Sequence, residues 1–255
     1  MNKNLLKRIV LTSAIAVLGV STSFAALVME RDQSVDTAPS VGMYRFEVPV
    51  ELQGTYNSAG VANLTASMEK EPNTLSMNVA HVKGNPSESY VVEIYKDLAA
   101  IETHRKSDHY QAFVNEVGSK LTNRKMYDVQ SVLLFEKKDA LSIVNDGKAV
   151  VTLTEFTVDS NEIDTVQRQY QLDMERAVRD DAGYKAGYVL RERNAKNRWY
   201  VIQIYSDQEA LTKHLNSPGY RFMMSQIQGS LQGVTTKVLD GDNLVNHGGQ
   251  AFVRP

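Results

Sequence analysis

The segment Tyr90–Leu121, YVVEIYKDLAAIETHRKSDHYQAFVNEVGSKL, recurs without a gap at Tyr200–Leu231 as YVIQIYSDQEALTKHLNSPGYRFMMSQIQGSL. Ten of the 32 positions are identical, among them the Tyr, Asp, Ala, His and Ser that punctuate the stretch. Self-similarity at a fixed offset means one supersecondary unit written twice. The chain is therefore read as two tandem copies of a single α+β module. Function belongs to that module or to the space between copies.

The 255-residue length suits such a pair only once the first 25 residues are set aside. Lys3, Lys7 and Arg8 precede an apolar run from Ile9 to Val20, and Ser23-Phe24-Ala25 places small residues at −3 and −1 of a cleavage site. A run of about 12 residues is short of the roughly 20 that cross a bilayer, so residues 1–25 are expected to be a signal peptide rather than an anchor. The expected location is the periplasm or the outside of the cell. Losing those three basic residues takes the formal charge from −2 to −5, which disfavours nucleic acid or anionic lipid as a partner. The chain has no cysteine, so neither a disulfide staple nor thiolate chemistry is open to it. Two packed cores of about 100 residues each must carry its stability.

The patterning divides the remainder into a linker (26–42), a first module (43–137), a second linker (138–148), a second module (149–240) and a Gly-bearing tail (241–255). In the first module Phe46, Val48 and Val50 alternate along a strand expected at 44–52. Val61, Leu64 and Met68 keep helical spacing over 57–71, with Pro72 just beyond. Strands at 75–82 and 90–95 flank a Gly84-Asn85-Pro86 turn. A short helix at 98–104, a longer one at 108–121 capped by Ser107, and a strand at 129–135 follow. The second module repeats this order, with Asp159 and Glu162 spaced as a capping box. Each module thus reads β-α-β-β-α-β, a ferredoxin-like plan with helices on one face of an antiparallel sheet. The bare face needs cover. The other copy can supply it, giving a pseudo-dimer like a dimeric α+β barrel, with the ligand cavity expected between the two sheets.

The pattern aromatic-apolar-x-apolar-Tyr-x-Asp, then Ala, His and Ser, stands here as Tyr90–Asp97, Ala100, His104 and Ser107, and again as Tyr200–Asp207, Ala210, His214 and Ser217. It resembles the antibiotic biosynthesis monooxygenase family. The resemblance implies the dimeric α+β barrel fold and points to cofactor-free oxidation of quinols and anthrones. It implies no cofactor and a small apolar or aromatic ligand as partner. His104 and His214 are the candidate bases, since His exchanges protons near neutral pH. His109 matches a Ser-x-His-aromatic run of the family, where the second copy has Gly219. Tyr95, Tyr205, Trp199 and Tyr44 are the candidate substrate-binding residues, placed to stack on a ring or bond its oxygen.

Other chemistries find little support. No His-x-x-x-His or carboxylate cluster suggests a metal ligand set, and the second long helix lacks the His that haem-degrading relatives of this fold use. There is no phosphate loop and no nucleophile elbow. Two readings remain: an exported monooxygenase of hydroxylated aromatics, or a non-catalytic periplasmic ligand-binding or stress-related module of the same fold. Exposed sheet edges leave room for two pseudo-dimers to pair.

Overall fold

The computed structural model describes residues 38–255, so the expected signal peptide and most of the first linker lie outside the described residues. β1 (Ser40–Glu47) begins inside the stretch expected as linker, and the chain then turns at Pro49. Proline has no N–H for a ladder, and a 3-10 turn at Val50–Leu52 takes the place of the expected strand end. The first module continues with α1 (Gln53–Lys70), β2 (Thr74–Val82), β3 (Asn85–Tyr95), α2 (Leu98–Lys106) and α3 (Asp108–Glu116). β4 (Thr122–Tyr127), β5 (Val129–Glu136) and β6 (Leu141–Val144) lead to the second module. That module holds β7 (Val150–Val158), α4 (Ile163–Asp180), β8 (Tyr184–Glu192), β9 (Arg198–Tyr205), α5 (Gln208–Leu215) and α6 (Pro218–Ile227), then β10 (Leu231–Asn246) and β11 (Ala251–Val253). Among the described residues no helix is long and apolar enough to cross a membrane.

Much of the repeated motif is helix-capping chemistry. Asp97 and Asp207 accept from Ala100 N and Ala210 N at 2.9 and 2.8 Å, opening α2 and α5. Ser107 and Ser217 do the same for Tyr110 N and Tyr220 N, opening α3 and α6. The capping box expected at Asp159 and Glu162 does not form. The turn closes on backbone instead, Glu162 N donating to Asp159 O at 2.8 Å, and no side chain caps α4.

The strands form a single antiparallel sheet in the order β11-β5-β8-β9-β7-β10-β2-β3-β1-β4, with β6 alongside β10. Each module's last strand crosses into the other. β4 pairs with β1 of its own module, and after Asp128 the chain pairs as β5 with β8 of the second. β10 does both in one run: residues 231–240 lie on β7, residues 239–246 on β2. Most of the stretch read as a tail is therefore strand, continued by β11 against β5, and the second linker contributes β6. These pairings are non-local, so periodicity within one copy does not display them. The ladder path itself is not closed, its ends being β11 and β4.

The inner faces of the two half-sheets meet in the most extensive apolar cluster, where Met43, Val92 and Ile94 pack with Leu153, Tyr188 and Ile202. Each such side chain contributes about 1.5–3 kcal/mol by leaving water. The space expected to hold a ligand is thus packed with side chains.

At the edge of this core the Tyr188 hydroxyl donates to Glu136 Oε1 at 2.7 Å and lies 3.2 Å from Ser76 Oγ of the other module. Burial pushes the Glu136 carboxyl up to about 7. The folded chain then keeps a proton that the unfolded chain releases at its ordinary value near 4.5, so stability falls as pH rises from about 4.5 to about 7. Glu136→Gln is expected to match the parent at pH 5 and to exceed it at pH 8 by on the order of 2 kcal/mol. Thermal melts at the two pH values check this; the same difference at both would refute it.

Candidate functional site

The two modules anchor their shared histidine in the same way. His104 on α2 is buried, with Nδ1 3.0 Å from Oε2 of Glu71, the residue that ends α1. His214 on α5 places Nδ1 3.0 Å from Oδ2 of Asp181, which ends α4. Beyond that the sites diverge. In the first module His109 Nε2 also lies 2.7 Å from Glu71 Oε1, so one carboxylate holds two imidazoles. Thr74 Oγ1 donates to the same carboxylate at 2.8 Å. In the second, the Arg176 guanidinium bridges Asp173 and Asp181 at 2.9 and 3.1 Å. Gly219 stands where His109 stands, and a Cβ there would come within 2.2 Å of Arg176 Nε. Neither His104 Nε2 nor His214 Nε2 has a hydrogen-bond partner among the described residues; His214 Nε2 has the Asp173 carboxylate 3.4 Å away.

His104 borders a cavity of about 240 Å³ between the helices α1–α3 and the outer face of β1–β3. Its middle is apolar, with Phe46, Leu64, Val79, Val91 and Phe113. Glu93 and Tyr95 project into it from β3, the Tyr95 hydroxyl donating to Glu93 Oε2 at 3.0 Å. Glu93 retains accessible surface on the cavity side while lying deep beneath protein atoms, and that burial raises its carboxyl above the ordinary range. The far end is built by other parts of the chain. Asn145 of the second linker accepts from Asn57 Nδ2 at 2.8 Å, and Asn243 of β10 donates to Asn57 Oδ1 at 2.9 Å. Asp242 lies 2.8 Å from His81 Nδ1, and this hydrogen bond raises the imidazole's affinity for its proton. One module alone would leave that end open.

The second module fills the equivalent volume. Ladder register pairs Val79 with Val91 and Val189 with Val201, which makes Ser89 the counterpart of Trp199. The carboxylates at Glu71 and Asp181 make Gly60 the counterpart of Tyr170. Trp199 and Tyr170 both pack on Phe156, with ring centroids 6.3 and 5.9 Å away. In the first module a serine and a glycine leave that space vacant, and Ser89 Oγ bonds the Tyr56 hydroxyl at 3.1 Å.

Of the residues expected at a site, Tyr44, Tyr95 and His104 line the cavity together. His109 lies behind His104, on Glu71. Trp199, Tyr205 and His214 are fully buried in the second module, Tyr205 against Tyr184 and His214 at 5.4 and 5.6 Å between centroids. Glu71, Gly60 and Ser89 had no part in the expected site. Glu71 lies 33 residues before His104, outside the obvious repeat; Ser89 directly precedes that repeat and faces Trp199 in the alignment, which was a readable signal. The same fold brings Glu71, His104 and His109 together with one ligand atom each, all within 4.8 Å, a set suited to a divalent ion that no spacing in the sequence suggests. The hydrogen bonds of Glu71 account for the same arrangement.

A profile of the antibiotic biosynthesis monooxygenase domain matches the chain twice, at residues 41–116 and 149–225. No curated protein matches it. Among solved structures, a protein from Lactobacillus acidophilus assigned as a monooxygenase is 19% identical, with a TM-score of 0.78 over 84% of this chain and 99% of that one. Another so assigned, from Fusobacterium nucleatum, is 20% identical, with a TM-score of 0.76 over 86% and 99%. An anthrone oxidase-like protein reaches 0.52 at 11% identity over 87% and 98%. At such identities the likeness is one of fold.

Proposed function

Since the chain belongs to the antibiotic biosynthesis monooxygenase family, whose domain it carries twice, we propose that it is a cofactor-independent monooxygenase of quinols or related hydroxylated aromatics. The observation that carries the reading is the vacancy of the first module's cavity, with a carboxylate-held histidine on its wall, beside a second module that is filled. The first module does the chemistry and the second is scaffold. The basic and apolar start of the chain supports export.

Glu71 accepts from His104 Nδ1, which assigns the proton to that nitrogen and leaves the buried Nε2 lone pair without a partner among the described residues. A hydroxylated ring in the cavity loses its proton to Nε2, and the resulting anion is a stronger one-electron donor to O₂. Radical recombination and loss of water then place one oxygen atom on the ring and reduce the other to water. A quinol with one ring C–H plus O₂ becomes a hydroxyquinone plus H₂O. The Tyr95 hydroxyl and the Glu93 carboxyl, whose hold on its proton burial strengthens, can hold a substrate oxygen, and the apolar walls exclude water.

Oxygen uptake by the chain with a panel of quinols and hydroxylated polycyclic aromatics tests this. His104→Gln is expected to lower the rate by roughly 10²- to 10⁴-fold, the scale of a lost general base. His214→Gln is expected to change the rate per folded molecule by less than about threefold, because its ring is packed away from any substrate. Uptake no faster than autoxidation, with folded protein that still binds the compounds saturably, would refute the oxygenase and leave a ligand-binding module.

A further inference from the structure

Strand β10 reaches the first module's cavity through a bulge. Its ladder with β2 pairs Asp240 with His81 and Gly241 with Ala80, then resumes with Asn243 opposite Val79, so Asp242 has no ladder partner. A bulge re-aims the extra side chain, and Asp242 Oδ1 comes to lie 2.8 Å from His81 Nδ1. The second linker fixes this turn: Asn145, held at a φ of 52°, donates its backbone N–H to Asp242 O at 2.7 Å. Asparagine is one of the few side chains that settle in that conformation.

The second module has the same bulge with different chemistry. β5 pairs Ser131 with Leu190 and Leu133 with Val189, skipping Val132. The offset of the repeat makes Val132 the counterpart of Asp242, and ladder register makes Arg191 the counterpart of His81. Val132 is fully buried among the side chains that fill the second module. The bulge therefore belongs to the fold, whereas the carboxylate on it accompanies the open cavity.

His81 and Asp242 both line that cavity and keep 24% and 27% of their side-chain surface accessible. Asp242 Oδ2 takes no hydrogen bond among the described residues. His81 Nε2 comes no nearer than 3.7 Å to Asp240 Oδ2, beyond hydrogen-bond reach. The bond to Asp242 raises the proton affinity of His81, and an imidazolium carries an N–H on each ring nitrogen. Two carboxylates against one imidazole disfavour an anion here. A neutral hydroxyl, donor and acceptor at once, suits the pair. Glu93 faces Met77 across the ladder, and His81 lies four residues further along β2, about 13 Å at the ordinary strand rise. One ring with two oxygens is too short for that span, and a fused ring system fits it.

We infer that this end of the cavity is a subsite for a second hydroxyl of the ligand, which donates to Asp242 and accepts from His81 while the first hydroxyl stays beside Glu93, Tyr95 and His104. This rests on the reading of the cavity as an aromatic-ligand site and narrows the class to fused-ring aromatics with hydroxyls at opposite ends. The held hydroxyl does not react. It fixes how far the rings slide toward His104, and half of its grip comes from a strand of the second module.

Binding measured without oxygen separates this inference from the reaction. Calorimetric titrations would use 2-naphthol, 6-methoxy-2-naphthol and 2,6-dihydroxynaphthalene. The diol is expected to bind roughly ten- to hundredfold tighter than 2-naphthol, the range for a hydrogen bond to a charged group. The methyl ether, which cannot donate, should lose most of that advantage. Asp242→Val, which writes in the second module's residue, and His81→Gln should each bring the diol-to-naphthol ratio down severalfold. Asp242→Asn leaves a side chain that can still bond His81, so it keeps the test open where Asp242→Val unfolds. A pair that only ties the modules together would lower the melting temperature, or the affinity for all three compounds alike, and leave the ratio unchanged. That result, or equal affinity for the diol and 2-naphthol, would overturn the inference. Tight, Asp242-dependent binding of the diol with no oxygen uptake would uphold it and refute the oxygenase alone; no binding by any of the three would remove both.

Discussion

Gly60→Tyr is expected to abolish ligand binding and turnover in the first module, by at least about a hundredfold, while leaving the protein as stable as before or slightly more so. The substitution writes the second module's residue into the first, where Tyr170 already shows how that ring fills the volume against Phe156. Nothing lies within 4 Å of a Cβ at Gly60, so the side chain enters empty space rather than a packed wall. Replacing a helix-interior glycine gains about 0.5 kcal/mol of propensity, and the buried ring adds to it. A melt and a ligand titration on the same sample suffice. Undiminished affinity would place the ligand outside this cavity and remove the basis of the proposed chemistry.

The reciprocal change acts on stability instead of binding. Trp199 is fully buried, rests on Phe156, and donates from Nε1 to Lys196 O at 2.8 Å. Trp199→Ala leaves a void in a rigid core, at a cost of about 3–5 kcal/mol. For a chain of this size the melting temperature should fall by roughly 6–20 °C. Affinity at the first module, measured well below that transition, should hold within about threefold, because Trp199 takes no part in that cavity's wall. Denaturant titration and calorimetry check the first number. A loss of only about 0.5 kcal/mol, as at an exposed site, would mean that the second module's filling is loose and its role as scaffold misjudged.

The repeat made the architecture legible because its identical positions are those that local physics requires: the Asp and Ser caps, the His that ties α2 or α5 to the preceding long helix, the Tyr that ends β3 or β9. It gave less notice of which copy keeps an open cavity. That information lies at the positions where the copies differ, Gly60 against Tyr170 and Ser89 against Trp199, and a glycine or a serine reads on its own as weak structure rather than as room for a ligand. Tyr44, Tyr95 and His104 could be picked out; Glu71 could not, since only the folded chain brings it to His104. The cavity's position was misjudged for a related reason. Both sheet faces alternate apolar residues, and which face is packed against the other module depends on strand exchange. Pairs such as Ser76 with Asn246 are what a reading within one copy leaves out.

That exchange also orders events in time. A ribosome delivers β2 long before the residues 239–246 that complete its edge, so the nascent first module carries an open strand edge through the synthesis of almost all of the second. At roughly 5–20 residues per second the interval is on the order of 10–30 seconds. Throughout it, the apolar inner face of the first sheet has no lid, and an edge of this kind is a template for adhesion to other chains. A chain released early, or cut between its halves, would keep that exposure permanently.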